Sequence, residues 1–136
     1  MTRRLLLGYQ IITGLSDSST GLLLIFSPAT TLHLMKLHST PDALPFISYI
    51  GAFVLSVGIA CFYGGWLVRR SIASEKLEVV WLLTAITRGL VTLFVIVEVV
   101  SGGLEPGWIT VALTDGTFAL LQFYGLKEGW SHCVRD

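Results

Sequence analysis

Three ionisable residues stand inside long apolar runs of this chain: Asp17, Arg88 and Asp115. The two acids occupy similar polar islands, Leu15-Ser16-Asp17-Ser18-Ser19-Thr20 and Leu113-Thr114-Asp115-Gly116-Thr117. A carboxyl pair around one cation can take a proton at one oxygen and give one at another, which is what general acid–base chemistry requires. Arginine suits the central place, because it stays charged and its planar five-donor fork can serve two carboxylates at once. Asp-Arg-Asp carries one negative charge in excess if both acids ionise. The same trio also reads as a structural clasp that sets helix register, a role in which interhelical polar contacts contribute only about 0.6 kcal/mol on average.

Polar residues recur around each charge. Thr13 and Thr20 flank Asp17, Thr84 and Thr92 flank Arg88, and Gln122 follows Asp115, each at a spacing of three, four or seven that puts it on the same helical face. Tyr49, Ser56 and Tyr63 form a further stripe, expected to offer hydroxyls either to the polar core or to the lipid interface. Tyr49 and Ser56 complete the candidate binding set. Glu98 lies about three turns beyond Arg88 and is expected near the outer surface.

The elements that must position these groups follow from composition. Of 136 residues 53% are hydrophobic and 13% charged, with a mean hydropathy of +0.74. Soluble domains carry roughly a quarter charged residues, so water is not the solvent for most of this surface. A spanning helix needs about 20 mainly apolar residues, and four stretches qualify: about 4–27, 46–68, 78–101 and 108–127. The expected architecture is all-α, a single integral membrane domain over residues 1–136 built as a four-helix bundle. Asp17, Arg88 and Asp115 then fall near the bilayer midplane, where a charge is costly unless paired inside the bundle.

Arg3, Arg4, Arg69, Arg70, Lys76, Lys127 and Arg135 gather on one side of these spans, against Lys36 on the other. The positive-inside bias therefore predicts cytoplasmic N- and C-termini. Met1-Thr2-Arg3-Arg4 before Leu5 imitates a secretory leader without a small-residue cleavage motif, and reads as the start of an uncleaved helix. Trp66, Trp81, Trp108 and Trp130 are expected at the interfaces. His33 to Pro45 is expected to lie on the membrane surface. Similarity between the two aspartate islands makes the first and last helices candidates for relics of one duplicated segment.

Gly51, Gly58 and Gly65 recur every seven residues, a smooth stripe against which another helix can pack closely. Lysine plus arginine and aspartate plus glutamate balance at 9 each, which gives no basic footprint for nucleic acid. No histidine stands at a helix midpoint, so haem ligation is not expected, and His33 with His38 make an incomplete metal set; no cofactor and no metal are predicted. Cys61 and Cys133 lack motif spacing, and no structural disulfide is expected.

Several segments together resemble a known family: Gly21-Leu-Leu-Leu-Ile-Phe-Ser-Pro28, Gly51-Ala-Phe-Val-Leu-Ser-Val-Gly58, Arg88-Gly89, and Asp115-Gly116 ahead of Gly125-Leu-Lys-Glu-Gly-Trp130. They resemble the small four-helix bacterial membrane proteins called DoxX-like. The resemblance implies an inner-membrane bundle, sometimes attached to respiratory or quinone-linked complexes, and carries no catalytic motif onto residues here.

Three functions fit these features. The first is a non-catalytic subunit or oligomer-forming scaffold that docks through the glycine-striped helix onto its own copies or a larger membrane complex. A second is a membrane-embedded enzyme in which Asp17, Arg88 and Asp115 open an epoxide, isomerise or cyclise a lipophilic small molecule. The third is a proton or small-anion carrier using the same residues as a relay.

Overall fold

The structure is a computed structural model that describes residues 2–71 and 74–134. Arg135, counted above among the inner-side cations, lies outside the described residues, as does the side chain of Cys133. The described chain is helical, without strands: α1 Arg3–Phe26, α2 Pro28–Leu34, α3 Leu44–Arg70, α4 Ser74–Ser101 and α5 Ile109–Lys127, with 3-10 turns at Pro41–Ala43, Pro106–Trp108 and Trp130–Val134.

Punctuation residues set the boundaries. Pro28 opens α2 at a first-turn position where its missing N–H is not needed. Ser71, at φ 53°, ends α3. Gly102, at φ 81°, turns the chain beyond α4 while the Gly103 and Leu104 N–H groups donate to the Glu98 carbonyl at 2.8 and 3.1 Å. That left-handed turn satisfies a helix-end carbonyl in the manner of a glycine C-cap.

Three helical stretches among the described residues are long and apolar enough to cross a membrane, Pro41–Arg70, Glu75–Ser101 and Pro106–Lys127. At 24 residues α1 has the length but not the apolarity, because Gln10 and the Ser16 to Thr20 island interrupt it. Large apolar side chains face outward around all the long helices, among them Leu5, Ile12, Phe46, Leu83, Val100 and Leu120.

Packing is uneven. Two helix pairs, α1 with α3 and α4 with α5, run in close contact along their lengths. They converge at the arginine-rich end, where Leu6, Leu67, Val68, Leu77 and Trp81 form one buried cluster. Arg3 ties that end together, donating from Nε to the Val68 carbonyl at 3.2 Å and from Nη2 to the Arg69 carbonyl at 2.9 Å. Trp81 is therefore a core residue, 1% exposed, and not the interfacial anchor its place near a helix end suggested. At the opposite end His38 and Glu105 join the two connections through a backbone N–H bond of 3.1 Å and a side-chain contact of 3.3 Å. The segment after α1 does not simply lie on the surface: it forms α2, and Leu32 and Leu37 are buried.

The glycine stripe of α3 is taken up inside the chain. A Cβ on Gly51 would sit 2.9 Å from the Gly21 carbonyl oxygen of α1, and one on Gly21 would sit 2.6 Å from the Leu55 nitrogen. Gly58 faces Ser18, and Gly65 faces Gln10 and Leu7. Docking of a partner through this stripe is thus not available, because α1 already occupies it.

Close approach of two backbones gives a direct test. Gly21→Leu is expected to lose about 1–3 kcal/mol through overpacking, measured as denaturant or thermal unfolding in mild detergent. Gly89 faces open space, so Gly89→Ala should be neutral or gain up to about 1 kcal/mol of helix propensity. Equal stability of Gly21→Leu and the parent chain would contradict the α1–α3 contact.

Candidate functional site

Arg88 sits near the middle of α4 and points into the junction of the two helix pairs. Its Nη1 donates to Oδ1 of Asp115 on α5 at 2.8 Å, and its Nη2 donates to Oδ2 of Asp17 on α1. The three residues predicted to meet do meet. Since both carboxylates reach one guanidinium, their nearest oxygens lie within about 8 Å, two hydrogen-bond lengths plus the width of the fork.

Burial differs among the three in a way that matters chemically. The Arg88 side chain is 3% exposed, while those of Asp17 and Asp115 are 13% and 23% exposed. The cation is enclosed, and the acids keep open flanks. Phe118 covers the guanidinium, with Cζ 5.0 Å from the ring centroid, a cation–π distance.

Two different environments meet at this layer. Toward the arginine-rich end, Tyr9 packs against Trp81 and Phe118 with centroids 5.5 and 6.0 Å away, so aromatic rings fill the space below Arg88. Buried polar groups share this region. The Gln122 amide donates to Thr84 Oγ1 at 2.7 Å, and Thr84 in turn donates to the Val80 carbonyl at 2.8 Å. Thr13 donates to the Tyr9 carbonyl at 2.9 Å. Cys61 is a buried free thiol.

Toward the other end a cavity of about 780 Å³ opens above the charged layer. Small-molecule sites commonly measure roughly 300–1,000 Å³. Asp17, Arg88 and Asp115 form its floor. Its walls are mostly apolar, including Val54 and Val57 of α3 and Val91 and Val95 of α4, with hydroxyls from Thr20, Thr110 and Thr114 among them, and Leu32, Met35, Leu104 and Trp108 close the far end. Buried charge on one side and hydrocarbon on the others is the chemistry of a site for a mostly apolar molecule with one polar end.

Of the polar residues read from spacing, Thr20 lines the cavity, while Thr13, Thr84 and Gln122 lie in the buried layer behind Arg88. Thr92 spans to α5, its hydroxyl 3.4 Å from the Ala112 carbonyl. Tyr49 and Ser56 do not belong to the site. Tyr49 is 64% exposed and stacks edge-on with Phe53, and Ser56 donates to the Phe53 carbonyl at 2.7 Å. Their stripe points away from the glycines that pack on α1, which turns it outward.

Sequence reasoning missed Tyr9, Gln10, Phe118 and the cavity walls. Gln10 is fully buried, and neither atom of its amide has a protein partner among the described residues. It stands seven residues before Asp17, the spacing that singled out Gln122 relative to Asp115, so the same rule applied evenly would have found it. Phe118, three residues after Asp115, shares its face in the same way. No group of three histidine, cysteine or acidic residues able to hold a metal occurs among the described residues, and His38 is engaged with Glu105.

No family model matches the chain, and neither the curated proteins nor the solved structures compared with it give a match.

Removing one member of a buried ion pair strands the other. Arg88→Met, which leaves two carboxylates facing each other, is expected to cost about 3–5 kcal/mol. Asp115→Asn keeps an acceptor oxygen toward Nη1 and should cost clearly less. Unfolding curves of both variants in the same detergent check this; equal losses would mean that the guanidinium is not shared. Thr84→Val should cost about 1–3 kcal/mol by leaving the buried Gln122 amide N–H without its acceptor, and Gln122→Leu should cost less, because Thr84 keeps its bond to the Val80 carbonyl and the partnerless Gln122 Oε1 is removed.

Proposed function

We propose that this chain is a four-helix bundle of a bacterial inner membrane that binds a lipophilic small molecule in its cavity. Acid–base chemistry then takes place at the molecule's polar end. In this reading α1 is the fourth crossing. It presents Leu5, Ile12, Leu15 and Leu23 outward and turns Gln10 and Thr13 inward, a pattern that suits a helix facing lipid on one side and a polar core on the other. The bond from Arg3 to the end of α3 supports an N-terminus on the side of Arg69 and Arg70, which the positive-inside bias makes cytoplasmic. The DoxX-like resemblance agrees with this setting.

The observation that carries the chemical reading is the open flank of each carboxylate above a guanidinium that is itself enclosed. A clasp that only held helices together would have no need of a chamber in front of it. Arg88 holds the acids apart and oriented; Asp17 and Asp115 serve as base and acid toward a head group resting on them, in an opening, isomerisation or cyclisation.

The scaffold reading loses its main support once the glycine stripe is occupied by α1, and only the lipid-facing flanks are left for assembly. A carrier would need a continuous route through the protein, whereas Tyr9, Phe118 and Trp81 fill the space behind Arg88.

Extraction into lipid nanodiscs followed by mass spectrometry of the bound small molecules tests the proposal. The parent chain should retain a lipophilic compound that Val91→Trp, which fills the chamber, loses. Asp17→Asn and Asp115→Asn should keep the compound yet slow its turnover at least about 100-fold, the usual worth of a general acid or base. Identical small-molecule content in the parent and the Val91→Trp protein would sink the reading.

A further inference from the structure

The chamber has two unlike sides. Where α3 faces α4, its lining is hydrocarbon apart from the single hydroxyl of Thr87, and the residues at the rim are exposed on the outer surface: Phe53 at 56%, Leu90 at 62% and Phe94 at 61%. Where α1 faces α5, the lining carries hydroxyls. Ser16 and Thr20 flank Asp17 on one helix, and Thr110 and Thr114 climb toward Asp115 on the other. Ser16, Thr110 and Thr114 are exposed. Thr110 and Thr114 give their protons to backbone carbonyls at 2.9 Å, which leaves their oxygens free to accept from a passing molecule.

Each gap follows from helix phase. On α3 the glycines fix the direction of α1, and Phe53 lies far round from them toward α4. On α5 Gly116 meets Thr92 of α4, and Thr110 and Thr114 lie on the side turned from that contact. The helix pairs thus leave one greasy seam and one hydroxyl seam.

We propose that these seams are separate entrances to the charged floor, a conclusion that rests on the binding reading above. An uncharged, mainly hydrocarbon molecule with one oxygen-bearing head enters from the bilayer between α3 and α4, and water descends from the outer membrane surface along the hydroxyls of Thr110 and Thr114 between α1 and α5. Charge selects the ligand. Arg88 is already shared by two carboxylates, so no unshared cation awaits an anionic head. A permanently cationic head would have to shed its water along a seam of phenylalanine and leucine, at a cost of several kcal/mol or more. A hydroxyl, carbonyl or epoxide oxygen meets neither obstacle. Of these an epoxide is the head the chamber can turn over: water gives a proton to one aspartate carboxylate and bonds to an epoxide carbon as that carbon's bond to the ring oxygen breaks, and the ring oxygen takes a proton from the other aspartate, held as its acid, so that a diol forms.

Two carbodiimides that modify aspartate test the entrances, read by peptide mass spectrometry on the full chain in nanodiscs. Dicyclohexylcarbodiimide partitions into lipid; its ethyl-dimethylaminopropyl relative stays in water. Leu90→Trp should slow modification of Asp17 and Asp115 by the apolar reagent several-fold and leave the water-soluble one unchanged, and Thr114→Phe should do the reverse. Phe53→Trp and Thr110→Phe repeat each arm, and helical circular dichroism confirms that a variant is folded. Decanol should protect the carboxyls from the apolar reagent, while decanoate and decyltrimethylammonium at the same concentration should not. If both carboxyls resist both reagents in the parent chain, the chamber admits nothing and the binding reading fails with the entrances. If they react but the variants slow both reagents alike or neither, only the two-entrance proposal is overturned. Protection by a charged congener equal to that by decanol overturns the ligand class.

Discussion

A guanidinium in hydrocarbon must find anions, and the arrangement of this protein follows from that requirement. Arg88 is carried into the bundle by α4, and its partners come from α1 and α5, so three helices are tied at one level by one side chain. Translocon scales set the cost of such a residue at a helix centre at about 2.5–3.5 kcal/mol. Three unpaired charges would offset much of what the apolar flanks contribute to insertion. Shared in one cluster, with Phe118 over the cation, they become tolerable. The cluster is better understood as a constraint on which packings are allowed than as a source of stability, since buried ion pairs seldom outperform hydrophobic replacements.

Given that constraint, small residues decide where the helices can close. Gly21, Gly51 and Gly58 bring α1 and α3 to backbone contact, and Trp81 fills the junction at the arginine-rich end. Beyond Arg88 the facing residues are mainly valine, leucine, isoleucine and phenylalanine with a few threonines, and a chamber remains between them. A tight half and a hollow half in one short bundle place the charged layer at the boundary between them. Rigid support on one side and free volume on the other is what a preorganised polar site requires.

Much of this was legible in the residues, and the part that was not has a physical reason. Helix positions followed from apolar run length, and the meeting of Asp17, Arg88 and Asp115 followed from matching depths, because depth along a helix is fixed by residue count. Rotation about the helix axis is not fixed in that way. The heptad of Tyr49 and Ser56 is as regular as the glycine heptad, and only packing on α1 decided which stripe turned inward. Trp81 illustrates the same limit: indole near a helix end suits both an interface and a core, and the neighbouring Gly125 gives it room inside. The chamber has no motif at all, because volume left unfilled depends on how helices diverge and not on any residue type.

The middle of α1 is polar. Gln10, Thr13 and the Ser16 to Thr20 island keep that helix below the apolarity of the other three. Its stabilisation is tertiary: glycines of α3 accept its backbone, and Arg88 of α4 neutralises its acid. Both partners lie later in the chain, at positions 51 to 65 and 88. The contacts of α1 therefore depend on α3 and α4 together, and the charged floor of the chamber is complete only when α5 brings Asp115 to the other side of the guanidinium. A site assembled this way cannot exist in any part of the bundle alone, which is why so small a chain is organised around a single side chain near its centre.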